Sequence, residues 1–174
     1  MKKYNISKYN PELKDRDGKY LKDDWTAISD IGKIFDGKKL SSEDYLEIES
    51  NYIKAIYEIL DFYKLKSLDV QDVQKSFRHD RFIEIINERK VVYDEDLLNF
   101  YNNLESIKIL EHQEIGLFCR LLLREDIGAK IFYPRKLKIF VCYDYLIGIH
   151  SSRSIEKVIP RIKDLGLFVE ECFE

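Results

Sequence analysis

No stretch of this chain strings together enough apolar residues to cross a bilayer, and the opening MKKYNISKYN has the positive start of a leader without the apolar run that must follow. The expected compartment is therefore the cytoplasm. Cysteine is scarce as well. Cys119, Cys142 and Cys172 are odd in number, lie far apart and form no C-x-x-C pair, which argues against a disulfide framework and against a zinc site. Their neighbours, LFCRLLL and IFVCY, are apolar and predict buried free thiols. The chain also lacks G-x-S-x-G, H-E-x-x-H and the dinucleotide-binding fingerprint. The common enzyme signatures are thus missing together, and the expectation is a protein with no catalytic residues, no metal and no cofactor.

What is present suits a folded domain. The 174 residues are 45% hydrophobic and 35% charged, enough apolar material to bury a core without staples and too much for a disordered chain. One domain spanning 1–174 is expected. Twelve tyrosines and ten phenylalanines imply either an aromatic core or rings at a contact surface. The net charge is only −3, but it is unevenly placed. Residues 43–61 carry Glu43, Asp44, Glu47, Glu49, Glu58 and Asp61 against Lys54 alone. Residues 130–163 carry eight Lys and Arg against Asp144 and Glu156, and the end is acidic again at Glu170, Glu171 and Glu174. An acidic face of this kind suits a basic partner. The low isoelectric point speaks against direct nucleic-acid binding, although it leaves room for a local basic patch.

Periodicity predicts an α+β fold, with a mainly helical N-terminal two-thirds and a small C-terminal β-sheet made of a hairpin, a helix and a strand. Residues 1–40 read as an irregular arm pinned by Trp25, Ile28, Ile31, Ile34 and Phe35, with turns at Asn10-Pro11, Asp17-Gly18 and Asp36-Gly37. Residues 41–125 read as helical. The first helix is capped by Ser41 or Ser42 and buries Tyr45, Ile48, Tyr52, Ile56, Ile59 and Tyr63, with Glu47, Asn51, Lys54, Glu58 and Asp61 on the outside. Further helices are expected over about 69–89, from Asp94, and over 111–124, where Gly116 permits close packing. Residues 130–174 read as the sheet region. KLKIFVCYDYLIGIH predicts two strands meeting near Tyr143-Asp144, SSRSIEKVIPRIKDLG a helix closed by Gly166, and LFVEECF a last strand. The strand, helix, strand order permits a right-handed crossover.

Two local patterns invite a chemical reading. Gly32 with Gly37-Lys38-Lys39 approaches a phosphate-binding loop, but Lys39 stands where that loop needs a hydroxyl residue and no strand is predicted before it. His79, in SFRHDRF, sits beside Asp80 between Arg78 and Arg81; paired with His150 it would make the acid and base of a small metal-independent ribonuclease or phosphodiesterase. A polar helix break explains the same residues without chemistry.

The segments YNPELKDRDGKYLKDDWTAISDIGKIFDGKKLSSEDYLEIESNYIKAI, LKIFVCYDYLIGIHSS and LGLFVEECFE resemble the small cytoplasmic immunity proteins of bacterial contact-dependent growth inhibition and polymorphic toxin systems. The resemblance rests on a Trp followed by SDIG, a Y-x-x-x-E-x-x-Y helix, a YDY hairpin and a terminal GLFVE strand. It covers somewhat under half of the chain and leaves 67–133 unmatched. It implies a non-enzymatic inhibitor that binds the C-terminal toxin domain of its own system, expected to be a basic nuclease such as an RNase, and covers its active site. Complementary charge then makes Glu47, Glu58 and Asp61 the leading contact residues, with Asp23, Asp24, Glu170 and Glu171 secondary. An adaptor domain with no toxin partner is the remaining alternative. No membrane partner is expected.

Overall fold

The computed structural model of the chain describes residues 1–104 and 108–172. Its strands are β1 (Lys2–Ser7), β2 (Ile34–Phe35), β3 (Lys38–Lys39), β4 (Ser67–Lys75), β5 (Ile109–Glu111), β6 (Ile127–Tyr133), β7 (Leu137–Cys142), β8 (Leu146–Ser151) and β9 (Phe168–Cys172). Its helices are α1 (Ser42–Tyr63), α2 (His79–Glu88), α3 (Glu95–Asn102), α4 (His112–Leu123) and α5 (Ile159–Asp164). Seven strands form one antiparallel sheet in the order β5-β4-β6-β7-β8-β1-β9, and β2-β3 is a separate hairpin.

This corrects the expected fold. The architecture is α+β, but the sheet is its backbone and not a small C-terminal appendage. Three of its strands come from segments expected to be something else, β1 from the irregular arm and β4 and β5 from the stretch 41–125 read as helical. The start of the irregular arm is β1, which lies between β8 and β9 and pairs with both. It alternates as a half-buried strand should, with Tyr4 and Ile6 in the core. The supposed helix over 69–89 is β4 followed by α2. A bulge between Gln71 and Gln74, with Asp72 in the left-handed region at φ 54°, changes the apolar spacing from Leu68-Val70 to Val70-Val73. That added residue makes a strand imitate helical spacing.

The buried large strand residues share one face: Tyr4, Ile6, Leu68, Val70, Leu110, Ile127, Ile131, Leu137, Ile139, Ile147 and Ile149. Helices α1 and α4 pack on it, α4 touching β4 and β6, and α1 touching α4 and α5. Helix α1 starts as its sequence predicts. The Ser41 side chain accepts from the Asp44 N–H at 3.0 Å, and Asp44 reaches back to the Ser41 N–H. Gly116 of α4 lies against α1, its N–H donating to the Tyr57 hydroxyl at 3.0 Å. The β7-β8 hairpin turns through Tyr143–Tyr145, and α5 starts late, with Pro160 in its first turn, where the missing N–H costs nothing. Strand β9 then returns parallel to β8 on the far side of β1. Phe173 and Glu174, included in the expected last strand and acidic tail, lie outside the described residues.

Glu49 breaks the apolar pattern of α1. It falls on the buried stripe between Tyr45 and Tyr52 and is 3% exposed. The Arg124 guanidinium clamps it with two hydrogen bonds of 2.7 and 2.8 Å. Arg124 also donates to the Val92 carbonyl at 3.1 Å and packs on the Tyr93 ring. Next to it Arg89 meets Asp126 at 2.5 Å, and the Tyr93 hydroxyl donates to the other Asp126 oxygen at 2.9 Å. Burial works against the Arg124 cation, but the Glu49 hydrogen bonds and charge outweigh it and hold the guanidinium above its ordinary value. These charges tie α1, the end of α4 and the segment before α3 into one interior.

Candidate functional site

The first two turns of α1 place Asp44, Glu47 and Ile48 along one side of the helix, at spacings of three and four. Across from them runs the arm. Trp25 is buried, its indole stacked edge-on against Tyr145 at 4.9 Å and tilted against Tyr45 at 5.3 Å. The β2-β3 hairpin closes the third side with Phe35, Lys38 and Lys39. Its two-residue turn, Asp36-Gly37, has φ 48° and 77°, the left-handed pair that a tight hairpin needs. The glycine and lysines of the supposed phosphate loop are therefore this turn and its outgoing strand.

Between these elements lies a groove of about 300 Å³, with Trp25, Leu40 and Ile48 supplying apolar surface and Asp24, Asp44 and Glu47 supplying carboxylates. Lys38 donates to Asp44 at 3.0 Å; that bond, with those from Ser41, holds the Asp44 carboxyl below its usual range. Asp24 accepts from the Trp25 N–H at 2.8 Å and pairs with Lys8 at 2.7 Å. The Lys8 ammonium is nearly buried, 4.2 Å from the centre of the Tyr9 ring and 4.3 Å from that of Trp25, and burial pulls its pKa down. Glu47 is exposed and has no hydrogen bond or ion pair with any described residue. Apolar surface rimmed by carboxylates, one of them unengaged, suits an arginine or lysine, whose aliphatic stem and charged end need those two surroundings.

The groove gathers Asp24 and Glu47 out of the seven predicted contact residues and leaves five elsewhere. Asp23 is exposed next to the groove without lining it. Glu58 is held by Arg161 of α5 at 2.9 Å. Asp61 is exposed, fourteen residues beyond Glu47 and so about 21 Å away along the helix. Glu170 pairs with Lys14, and Glu171 with Lys2 at 3.0 Å. The outward face of α1 is thus not one free acidic stripe. Sequence reasoning passed over Asp44 and Ile48 as groove residues, although their spacing from Glu47 on a capped helix was the available signal.

The histidines do not converge. His79 is exposed at the start of α2, and His112 lies against Tyr57 with ring centres 4.8 Å apart. His150 sits in β8, in line with Asp69 through the paired residues Lys138 and Phe132. Strand β4 runs six residues on from Asp69 to Lys75 before the chain reaches His79, about 20 Å at strand rise. Among the described residues no cluster of three metal-binding side chains occurs, and no helix is long and apolar enough to cross a membrane. No family model, curated protein or solved structure matches the chain.

Proposed function

We propose that this chain is a non-enzymatic inhibitor that neutralises a toxin domain by docking a basic surface of it into the groove at Glu47. The convergence of Asp24, Asp44 and Glu47 over Trp25 and Ile48 supports this reading, together with the resemblance of the Trp-SDIG, Y-x-x-x-E-x-x-Y, YDY and GLFVE segments to immunity proteins. A nuclease toxin needs cationic residues to hold phosphates, and an inhibitor that presents carboxylates to those cations covers the active site. The proposed seat is narrower than the sequence alone suggests: Glu47 is the groove carboxylate without an ion pair among the described residues, Asp24 lines the groove while paired with Lys8, and Glu58, Glu170 and Glu171 lie elsewhere, occupied by lysine or arginine of the chain itself.

Co-expression tests it. A candidate toxin domain encoded next to this gene should arrest growth when expressed alone, and co-expression of the chain should restore growth and yield a co-purifying pair. Glu47→Lys places a cation in the groove and abolishes rescue while the thermal melt is unchanged. Absence of both rescue and co-purification with the wild-type chain overturns the proposal.

A further inference from the structure

The face of the sheet away from α1 and α4 carries none of the large buried strand residues and exposes a different chemistry. Its register lines up Asp69, Phe132, Lys138, His150 and Lys3 across five neighbouring strands, β4-β6-β7-β8-β1. In the adjoining row Phe140 stands opposite Gly148, and its ring occupies the space that a Cβ at position 148 would take. Glycine there lets the ring lie down over β8. The Phe140 and His150 rings meet edge to face at 5.0 Å. A groove of about 490 Å³ runs over these side chains, lined among others by Gln71, Lys130, Phe132, Lys138, Phe140 and His150. Lys138 is exposed, both phenylalanines are half-buried, and Arg135 and Lys136 stand exposed in the adjacent β6-β7 turn. Asp72 neutralises Lys130, and Asp69 ends the row on the β4 side.

We propose that this open sheet face binds single-stranded nucleic acid. Two aromatic rings on neighbouring central strands offer stacking surfaces for unpaired bases, and the cations between and beside them suit the phosphates that run along such a strand. An acidic peptide would use the lysines and leave the rings without a matching partner. A second copy of the chain would bring the same cations face to face. The negative total charge does not oppose the assignment, because the basic residues of 130–138 gather on one hairpin, on a face distinct from the acidic groove.

Fluorescence anisotropy with a short labelled oligouridylate, its DNA counterpart and the matching duplexes tests this. Either single strand binds, the duplexes bind at least about tenfold more weakly, and affinity falls between about 50 and 200 mM salt. Phe140→Leu, which keeps Gly148 covered by an apolar group, weakens binding about tenfold, within the range for loss of one stacked base. Lys138→Ala weakens it less and reduces the salt slope by about 0.7. Failure of both single strands to bind at low salt, equal binding of duplex, indifference to Phe140→Leu, or binding of a polyglutamate peptide in their place overturns the proposal. The outcome is separable from the toxin reading: Glu47→Lys binds oligonucleotide as wild type does, and Phe140→Leu still rescues growth.

Discussion

The two faces of the sheet use charged and aromatic residues in opposite ways. On the covered side the buried charges have committed partners: Glu49 and Arg124 are 3% and 1% exposed and bonded twice to each other, and Asp126 is shared between Arg89 and Tyr93. On the open side Lys138 meets solvent, and Phe132 and Phe140 are only half covered. Water explains the contrast. Desolvating a charge is costly unless a partner is in place, so interior ions act as fixed joints, whereas exposed ions are cheap to keep and available for binding. Residues whose loss is felt in stability should therefore lie on one side, and residues whose loss is felt in binding on the other.

The largest expected effect comes from the rings of the covered side. Tyr45, Tyr52, Tyr93 and Tyr145 all have their hydroxyl pKa raised from the usual 10, in each case chiefly by burial. The folded state keeps these protons when the unfolded chain has lost them. Their contribution is therefore complete below pH 10 and is lost as pH rises from there toward the higher folded values, at about 1.4 kcal/mol per pH unit for each tyrosine. Chemical denaturation from pH 8 to 11.5 should show a steep alkaline loss, with tyrosinate absorbance rising cooperatively at unfolding. A smooth titration of all tyrosines without unfolding would show that the covered side is open to water.

Arg124→Met is next. It takes both guanidinium hydrogen bonds from buried Glu49, leaving only Arg120 at 3.6 Å, and should cost about 3 kcal/mol in urea denaturation. Adding Glu49→Leu should recover most of that loss, because removing both charges removes the desolvation cost along with the bond. If the double variant is as unstable as the single one, the pair does more than satisfy itself.

How much of this contrast the sequence disclosed depended on whether a pattern was local. Helix α1 was legible because Ser41, the early carboxylates and the Tyr45-Tyr52-Ile56-Ile59-Tyr63 stripe lie within one continuous segment. The β7-β8 hairpin was legible for the same reason. Strand β1 was not, since only Tyr4 and Ile6 mark its buried side and its two partners lie about 145 and 165 residues downstream. Strand β4 was misread because the bulge at Asp72 changes its period. Glu49 had a usable signal, a carboxylate on the apolar stripe, but its partner Arg124 is seventy-five residues away. The candidate groove was half legible: Glu47 followed from the helix, whereas its meeting with Asp24 over Trp25 required the arm to fold back. The open face was hidden entirely, because it exists only once five strands are in register.

A smaller effect is expected at the start of α1. Ser41→Ala removes the acceptor for the Asp44 N–H at 3.0 Å and should cost about 1 kcal/mol, with Ser41→Gly costing less. Because Asp44 and Lys38 also line the groove, the proposed association with a toxin domain should weaken in parallel with the melt. Unchanged association with a lowered melt would separate the cap from the groove.

The smallest stability effect should come from Lys138→Glu, and it tests the contrast most directly. Lys138 stands opposite Phe132 on one side and His150 on the other, exposed, with no fixed partner among the described residues to strand when it is replaced. A surface substitution of this kind changes stability by no more than about 0.5 kcal/mol. Urea denaturation at two protein concentrations checks it. A loss approaching that of Arg124→Met would mean that this face is covered in solution, and if the loss also depended on protein concentration the cover would be a second copy of the chain. A neutral result leaves the face exposed, as a surface that binds unpaired nucleic acid through rings and lysines must be.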